Sequence, residues 1–248
     1  METPLATAPT SSPDRLHWVD LLPPLVFTVL GIILIVAVLV GLSRANHAFY
    51  RANLGSINLL GTLGVYLSFG AGIAVGLRRL RAPLAFLGLR WPTVGDLGLA
   101  LLLLVPWYLG IVMVSLLSAA AFNGGRIIPG NSRLVFVQRP NGIGLLLLAL
   151  LVTAVAAPVC EEIFFRGMLF RLLERRTTLW MAVIGSALAF GAAHASPAVS
   201  LALLPTFAFM GVVLALVYVR TGWLTNTILL HGLNNAVVTI VAFNVAMR

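Results

Sequence analysis

Seven apolar runs, each about as long as a lipid bilayer is thick, constrain the fold of this chain more than any other feature. The first, LLPPLVFTVLGIILIVAVLVGL over 21–42, carries no charge, and the others cover 54–77, 97–122, 143–172, 179–195, 198–219 and 223–246. A hydrocarbon core about 30 Å thick is crossed by about 20 residues of helix. A helix is the natural solution because it pairs its backbone polar groups within one segment, where no water can satisfy them. The expected fold class is therefore all-α, a polytopic transmembrane helical bundle of about seven spans. Composition agrees: 60% of the residues are hydrophobic and only 9% charged, where a soluble domain carries roughly a quarter charged residues.

The remaining charge lies between the runs. All 16 basic residues are arginine, and the net charge of +9 would suggest nucleic acid if they were clustered on a soluble surface. Their place at the ends of spans points to the bilayer as partner instead, with no nucleic acid. The N-terminal side, with loops near 78–96, 173–178 and 220–222, holds nine arginines counting Arg171; the opposite side holds six, and Arg166 falls within a span. That bias places the N-terminus in the cytoplasm. Residues 1–20 are rich in Pro, Ser and Thr and read as a disordered tail, and the run that follows is too long for a signal peptide and reads as a retained anchor. Cys160 is the single cysteine, so no intramolecular disulfide can form. Gly72 and Gly76 form a GxxxG spacing, expected to serve close helix packing inside the protein rather than a dimer face.

An ionisable side chain at the centre of a membrane helix costs about 2.5–3.5 kcal/mol on insertion scales, so each needs a partner or a function. The first three runs have none in their interiors, whereas the last four hold Glu161, Glu162, Arg166, His194 and His231, together with Asn235. Three N-terminal helices over 21–142 and a catalytic core of four helices over 143–246 are therefore expected. At about 100° per residue, Arg166 lies about 40° round the helix from Glu162 but about 140° from Glu161. Glu162 and Arg166 suit an i,i+4 ion pair, and Glu161 is left without a local partner. Glu161 and His194 are both about 25 Å from the turn near Thr177, along antiparallel helices, and Asn235 and His231 are about 20 and 14 Å from the turn at Gly222. Phe190 with His194, and His231 with Asn235, share helical faces at i,i+4. Polar groups from three helices thus converge in one layer of the membrane.

Several chemistries suit such a layer. A carboxylate and an imidazole sharing one water can activate it for hydrolysis, the carboxylate taking the proton and the imidazole orienting the oxygen. Asn235 and His231 offer N–H donors for an oxyanion. Glu161, His194 and His231 could alternatively ligate a divalent metal such as zinc, although HExxH is absent. Cys160 could pair with a histidine as a thiol nucleophile, but it is about 100° round the helix from Glu161. Buried carboxylates and histidines also build proton relays in transporters, whose paired broken helices in repeated halves are not visible here.

EEIFFRG at 161–167, FGAAH at 190–194 and HGLNN at 231–235 resemble, in order and spacing, the EExxxR, FxxxH and HxxxN motifs of the CPBP group. That group comprises the type II CAAX prenyl endopeptidases and the bacteriocin-processing or immunity proteins also called the Abi family. The resemblance covers roughly 143–243 and implies an intramembrane endopeptidase. It makes Glu161 the general base, with His194 holding the water, His231 and Asn235 forming the oxyanion site, and Glu162, Arg166 and Phe190 in support. Family members have been labelled metalloproteases, although a metal-free glutamate mechanism has been argued; no cofactor is favoured here. The implied partner is a membrane-associated peptide or protein substrate. A non-catalytic immunity or scaffold protein retaining the motifs is the alternative. The arginine-only, Ala/Leu/Gly-rich composition suggests a prokaryotic plasma membrane protein.

Overall fold

A computed structural model describes residues 16–80, 83–122, 124, 142–195 and 201–246. All of the regular structure among them is helical. Among the described residues six helices are long and apolar enough to cross a membrane: α1 (Trp18–Ala45), α3 (Leu54–Leu77), α5 (Val94–Phe122), α6 (Gly142–Glu174), α8 (Leu201–Thr221) and α9, whose span covers Leu224–Asn244. Short helices α2 (His47–Ala52) and α4 (Pro83–Leu87) lie in connections. Helix α7 (Leu179–Ala193) is apolar but only 15 residues long. Leucines such as Leu30, Leu67, Leu102 and Leu117 are exposed on the outside of the bundle, where a soluble protein would bury them and a bilayer would solvate them. The protein is an integral membrane helical bundle.

The expected seventh span is thus a short one. Helix α7 is about 22 Å long and closes with tightened turns, the amides of His194 and Ala195 donating to the carbonyls three residues earlier, Gly191 and Ala192. It pairs antiparallel with α8. Gly191 meets Ala208 and Gly211 meets Ala187, a Cβ on Gly211 falling 2.7 Å from the Ala187 Cα. Because α8 returns to the face from which α7 started, shortening α7 leaves the sidedness of every later loop unchanged.

Helices α1 and α3 form a second antiparallel pair. Gly31 packs on Ser68, Gly72 on Pro23 and Pro24, and Gly76 against the Asp20 carbonyl and Met168. The GxxxG spacing therefore serves internal packing. Residues 16–20 depart from the expected tail: Leu16 is buried and Trp18–Leu21 form a 3-10 turn. Asp20 accepts from the His17 amide at 2.8 Å and faces Arg79 at 3.8 Å. These local bonds and one apolar side chain outweigh the polar composition of the segment. Residues 1–15, and the loop holding Arg126, Arg133 and Arg139, lie outside the described residues.

One face of the bundle gathers the arginine-bearing ends. The Leu224 amide donates to the Gly88 carbonyl at 2.9 Å, and the Tyr218 hydroxyl to the Leu87 carbonyl at 3.1 Å. Arg90 pairs with Asp96 at 2.6 Å. Arg171 and Arg175 lie over Phe86, and Arg176 over Trp18. The connection at 46–53 belongs to the opposite face. A topology reporter fused after Arg176 and another inserted in 46–53 are expected to give opposite signals, the arginine bias assigning the first to the cytoplasm. A periplasmic-active reporter at Arg176 would show that the arginine count misassigns the faces, and equal signals would contradict the helix pairing itself.

Candidate active site

Helix α6 is not a regular α-helix. Leu151–Ala156 and Ile163–Phe170 are π-helical, on either side of an α-helical stretch Ala157–Glu162; such bulges concentrate at functional sites because they re-aim side chains and release carbonyls. At the end of the first π-helical stretch the Ala157 amide donates to the Val152 carbonyl five residues back, and Pro158 has no N–H to continue that series. Gly232 of α9 faces the Ala154 carbonyl, where a Cβ would come within 2.7 Å of the oxygen. The glycine inside HGLNN therefore lets α9 approach α6 closely, which sets His231 and Asn235 against the two glutamates.

Glu162 and Arg166 are both fully buried. Arg166 Nη1 donates to Glu162 Oε1 at 2.8 Å and Nη2 to the Gly211 carbonyl at 3.1 Å, and the guanidinium lies 4.6 Å over the ring of Phe190. The ion pair expected from spacing is present. It extends to a third member: His231 Nδ1 is 2.9 Å from Glu162 Oε1. A carboxylate oxygen already accepting from arginine accepts again from Nδ1–H, which leaves the Nε2 edge of His231 facing Glu161 Oε2 at 3.9 Å.

Glu161 points elsewhere. Its Oε1 accepts from the Tyr66 hydroxyl of α3 at 2.6 Å, while Oε2 is buried and makes no hydrogen bond among the described residues. His194, at the end of α7, directs Nδ1 to the Phe190 carbonyl at 2.8 Å. A carbonyl only accepts, so Nδ1 carries a hydrogen. The imidazole is stacked on Phe207 at 4.3 Å and packs on Phe190 at 4.6 Å.

Asn235 is oriented by a directional chain. The indole Nε1 of Trp107, which can only donate, reaches Asn234 Oδ1 at 3.0 Å. Asn234 Nδ2 donates to Asn235 Oδ1 at 3.0 Å, and Asn235 Nδ2 to the Thr153 carbonyl at 2.8 Å. With a pure donor at one end and a pure acceptor at the other, both amides have one consistent orientation. One N–H of Asn235 is occupied by Thr153; the other remains.

Glu161, His194, His231 and Asn235 line a single cavity of about 520 Å³. The four predicted residues are thus brought together, with Glu162, Arg166 and Phe190 behind them. Cys160 is not among the lining residues; its Sγ reaches the Tyr66 carbonyl at 3.6 Å. The first three spans, expected to hold no ionisable side chain in their interiors, also bring side chains to the site. Tyr66 and Trp107 contact the site from α3 and α5, and Ile35, Leu39, Asn58 and Thr62 wall the cavity. The usable signal was the polar i,i+4,i+8 series Asn58, Thr62, Tyr66 on one helical face; a search limited to ionisable residues passes over it. Apart from Tyr66, at the middle of α3, the cavity residues on α1 and α3 lie in the half of each helix nearest the 46–53 connection, so the cavity extends from Glu161 away from the arginine-bearing face.

Among the described residues no three His, Cys, Asp or Glu side chains form a group able to hold a metal ion. Of the set Glu161, His194 and His231, Glu161 Oε1 is held by Tyr66 and His231 Nδ1 by Glu162.

Residues 143–237 match the family of type II CAAX prenyl endopeptidase Rce1-like proteins. This stretch is related to the type II CAAX prenyl endopeptidases. An uncharacterized 24.3 kDa protein of Escherichia coli is 27% identical over 129 residues, which cover 51% of this chain and 59% of that relative. No solved structure matches. The CAAX endopeptidases are a protease family, and the related stretch contains all four cavity-lining site residues while leaving Tyr66 and Trp107 outside it.

Proposed function

We propose that this protein is an intramembrane endopeptidase that hydrolyses a peptide bond with water activated by Glu161. The observation that carries the reading is the asymmetric setting of that carboxylate: Oε1 is occupied by Tyr66, and Oε2 is buried, without a hydrogen bond among the described residues, beside His231 in a cavity also lined by His194 and Asn235. Water hydrogen-bonded to Oε2 and oriented by the His194 imidazole attacks the substrate carbonyl carbon. Its proton passes to Oε2, a C–O bond forms, and the developing oxyanion accepts from the second Asn235 N–H, with His231 beside it as the other member of the oxyanion site. The tetrahedral species collapses with cleavage of the C–N bond, Glu161 returning its proton to the departing amine. The products are a carboxylic acid and an amine.

The substrate is a membrane-associated peptide or protein whose cleaved segment enters from the side of the 46–53 connection. Apart from the site residues the walls are uncharged, with Ile35, Leu39, Val65, Val152 and Met210 among them, so an apolar segment is accommodated without an unpaired buried charge. CAAX-type cleavage and processing of a secreted or antimicrobial peptide both suit this cavity.

The reaction as written needs no metal. Protein purified in the presence of strong chelator is expected to cleave a membrane-inserted reporter peptide at the untreated rate and to contain no stoichiometric zinc. About one zinc per chain, lost together with activity in His194→Ala, would overturn the metal-free mechanism. Absence of cleavage across a broad panel of membrane peptides would favour a non-catalytic partner-binding protein.

A further inference from the structure

We propose that Tyr66 is the positioning residue that selects which oxygen of Glu161 acts as base, an inference that rests on the hydrolytic reading above. A glutamate carboxylate turns about its last bond in a broad, roughly two-fold well, so its two oxygens are interchangeable unless a neighbour distinguishes them. Here one does. The Tyr66 hydroxyl donates to Oε1 at 2.6 Å, and Oε2 is left without a hydrogen bond among the described residues, 3.9 Å from His231 Nε2.

Tyr66 has the rigidity this role needs. Its own carbonyl receives the Sγ of Cys160, the residue before Glu161, at 3.6 Å. A Cβ at Gly70, one turn along α3, would stand 3.5 Å from the same sulfur. Helices α3 and α6 are therefore fitted together at the level of Glu161. The phenol enters the cavity wall from α3, outside the stretch related to the CAAX endopeptidases. On this account the N-terminal helices complete the site as well as anchoring it.

Tyr66→Phe keeps the ring and removes only the hydroxyl. In purified protein, kcat for a cleaved reporter peptide is expected to fall about 10- to 100-fold, the range of one hydrogen bond to a charged group. KM should stay within about twofold and the melting temperature within about 2 °C, since binding and packing surfaces are unchanged. In a Glu161→Gln background the same substitution should add nothing, because the oxygen it orients no longer accepts a proton. Cys160→Ala disturbs the same helix contact without touching the hydroxyl and should leave kcat near wild type. If Cys160→Ala lowers kcat as much as Tyr66→Phe does, the effect belongs to helix packing and the proposal fails. It fails too if Tyr66→Phe turns over within about threefold of wild type while Glu161→Gln is inactive. An active Glu161→Gln protein would instead overturn the underlying hydrolytic reading.

Discussion

Glu161→Gln is expected to lower peptide hydrolysis by about 10²–10⁴-fold, the usual contribution of a general base, with membrane insertion and thermal stability near wild type. The substitution preserves volume, and the remaining carbonyl oxygen can still accept from the Tyr66 hydroxyl that now holds Oε1 at 2.6 Å. What changes is the other atom. Oε2, buried beside His231 Nε2, becomes an amide nitrogen with no lone pair to take a proton. Cleavage by the variant above about 10% of wild type, measured on the same reporter peptide, would remove Glu161 from the role of base. A variant that is inactive and also fails to insert would point to a structural contribution instead, so melting in detergent belongs in the same experiment.

The second large effect is expected in the network behind the base, and it falls on folding. Arg166 and Glu162 are both fully buried and joined at 2.8 Å. Arg166→Ala removes that bond, the 3.1 Å bond to the Gly211 carbonyl and the stack on Phe190, leaving Glu162 with His231 as its remaining partner. Glu162→Ala is the mirror case, stranding Arg166 and the Nδ1 edge of His231 together. Removing one member of a buried pair costs about 3–5 kcal/mol because a buried charge is left uncompensated, a large share of the roughly 5–15 kcal/mol by which a folded protein is stable. Both single variants should lose most of their folded yield and melt at lower temperature, with activity falling in step. Wild-type melting curves for both would show that the pair contributes little. Replacing Glu162 with glutamine should be milder for folding, since an acceptor remains for Arg166.

Much of this was legible in the residues themselves. Apolar runs of bilayer length can hardly be anything but helices, because backbone polar groups in hydrocarbon have no partner outside their own segment; the span at 54–77 coincides with α3. The pair Glu162–Arg166 follows from spacing alone, since side chains four apart on a helix are neighbours wherever the helix is placed. Equal distances from shared turns put Glu161 and His194 in one layer, and both line one cavity.

Other features depend on which helices become neighbours, and helical periodicity carries no information about that. Tyr66 is an ordinary tyrosine on an apolar helix until α3 packs beside α6 and carries its hydroxyl to Glu161, 95 positions away. Trp107 orients Asn235 only through Asn234 and only once α5 lies against α9. Glu162 reaches past its own helix to His231 because Gly232 lets α9 approach α6 closely at the Ala154 carbonyl. Local sequence thus determined the spans, their polar faces and the i,i+4 pair, all set within a few residues by helix geometry. Tertiary structure alone decided which oxygen of Glu161 meets the cavity and which partners orient His231 and Asn235, because those contacts join segments up to 127 residues apart, whose meeting is set by packing of the whole bundle.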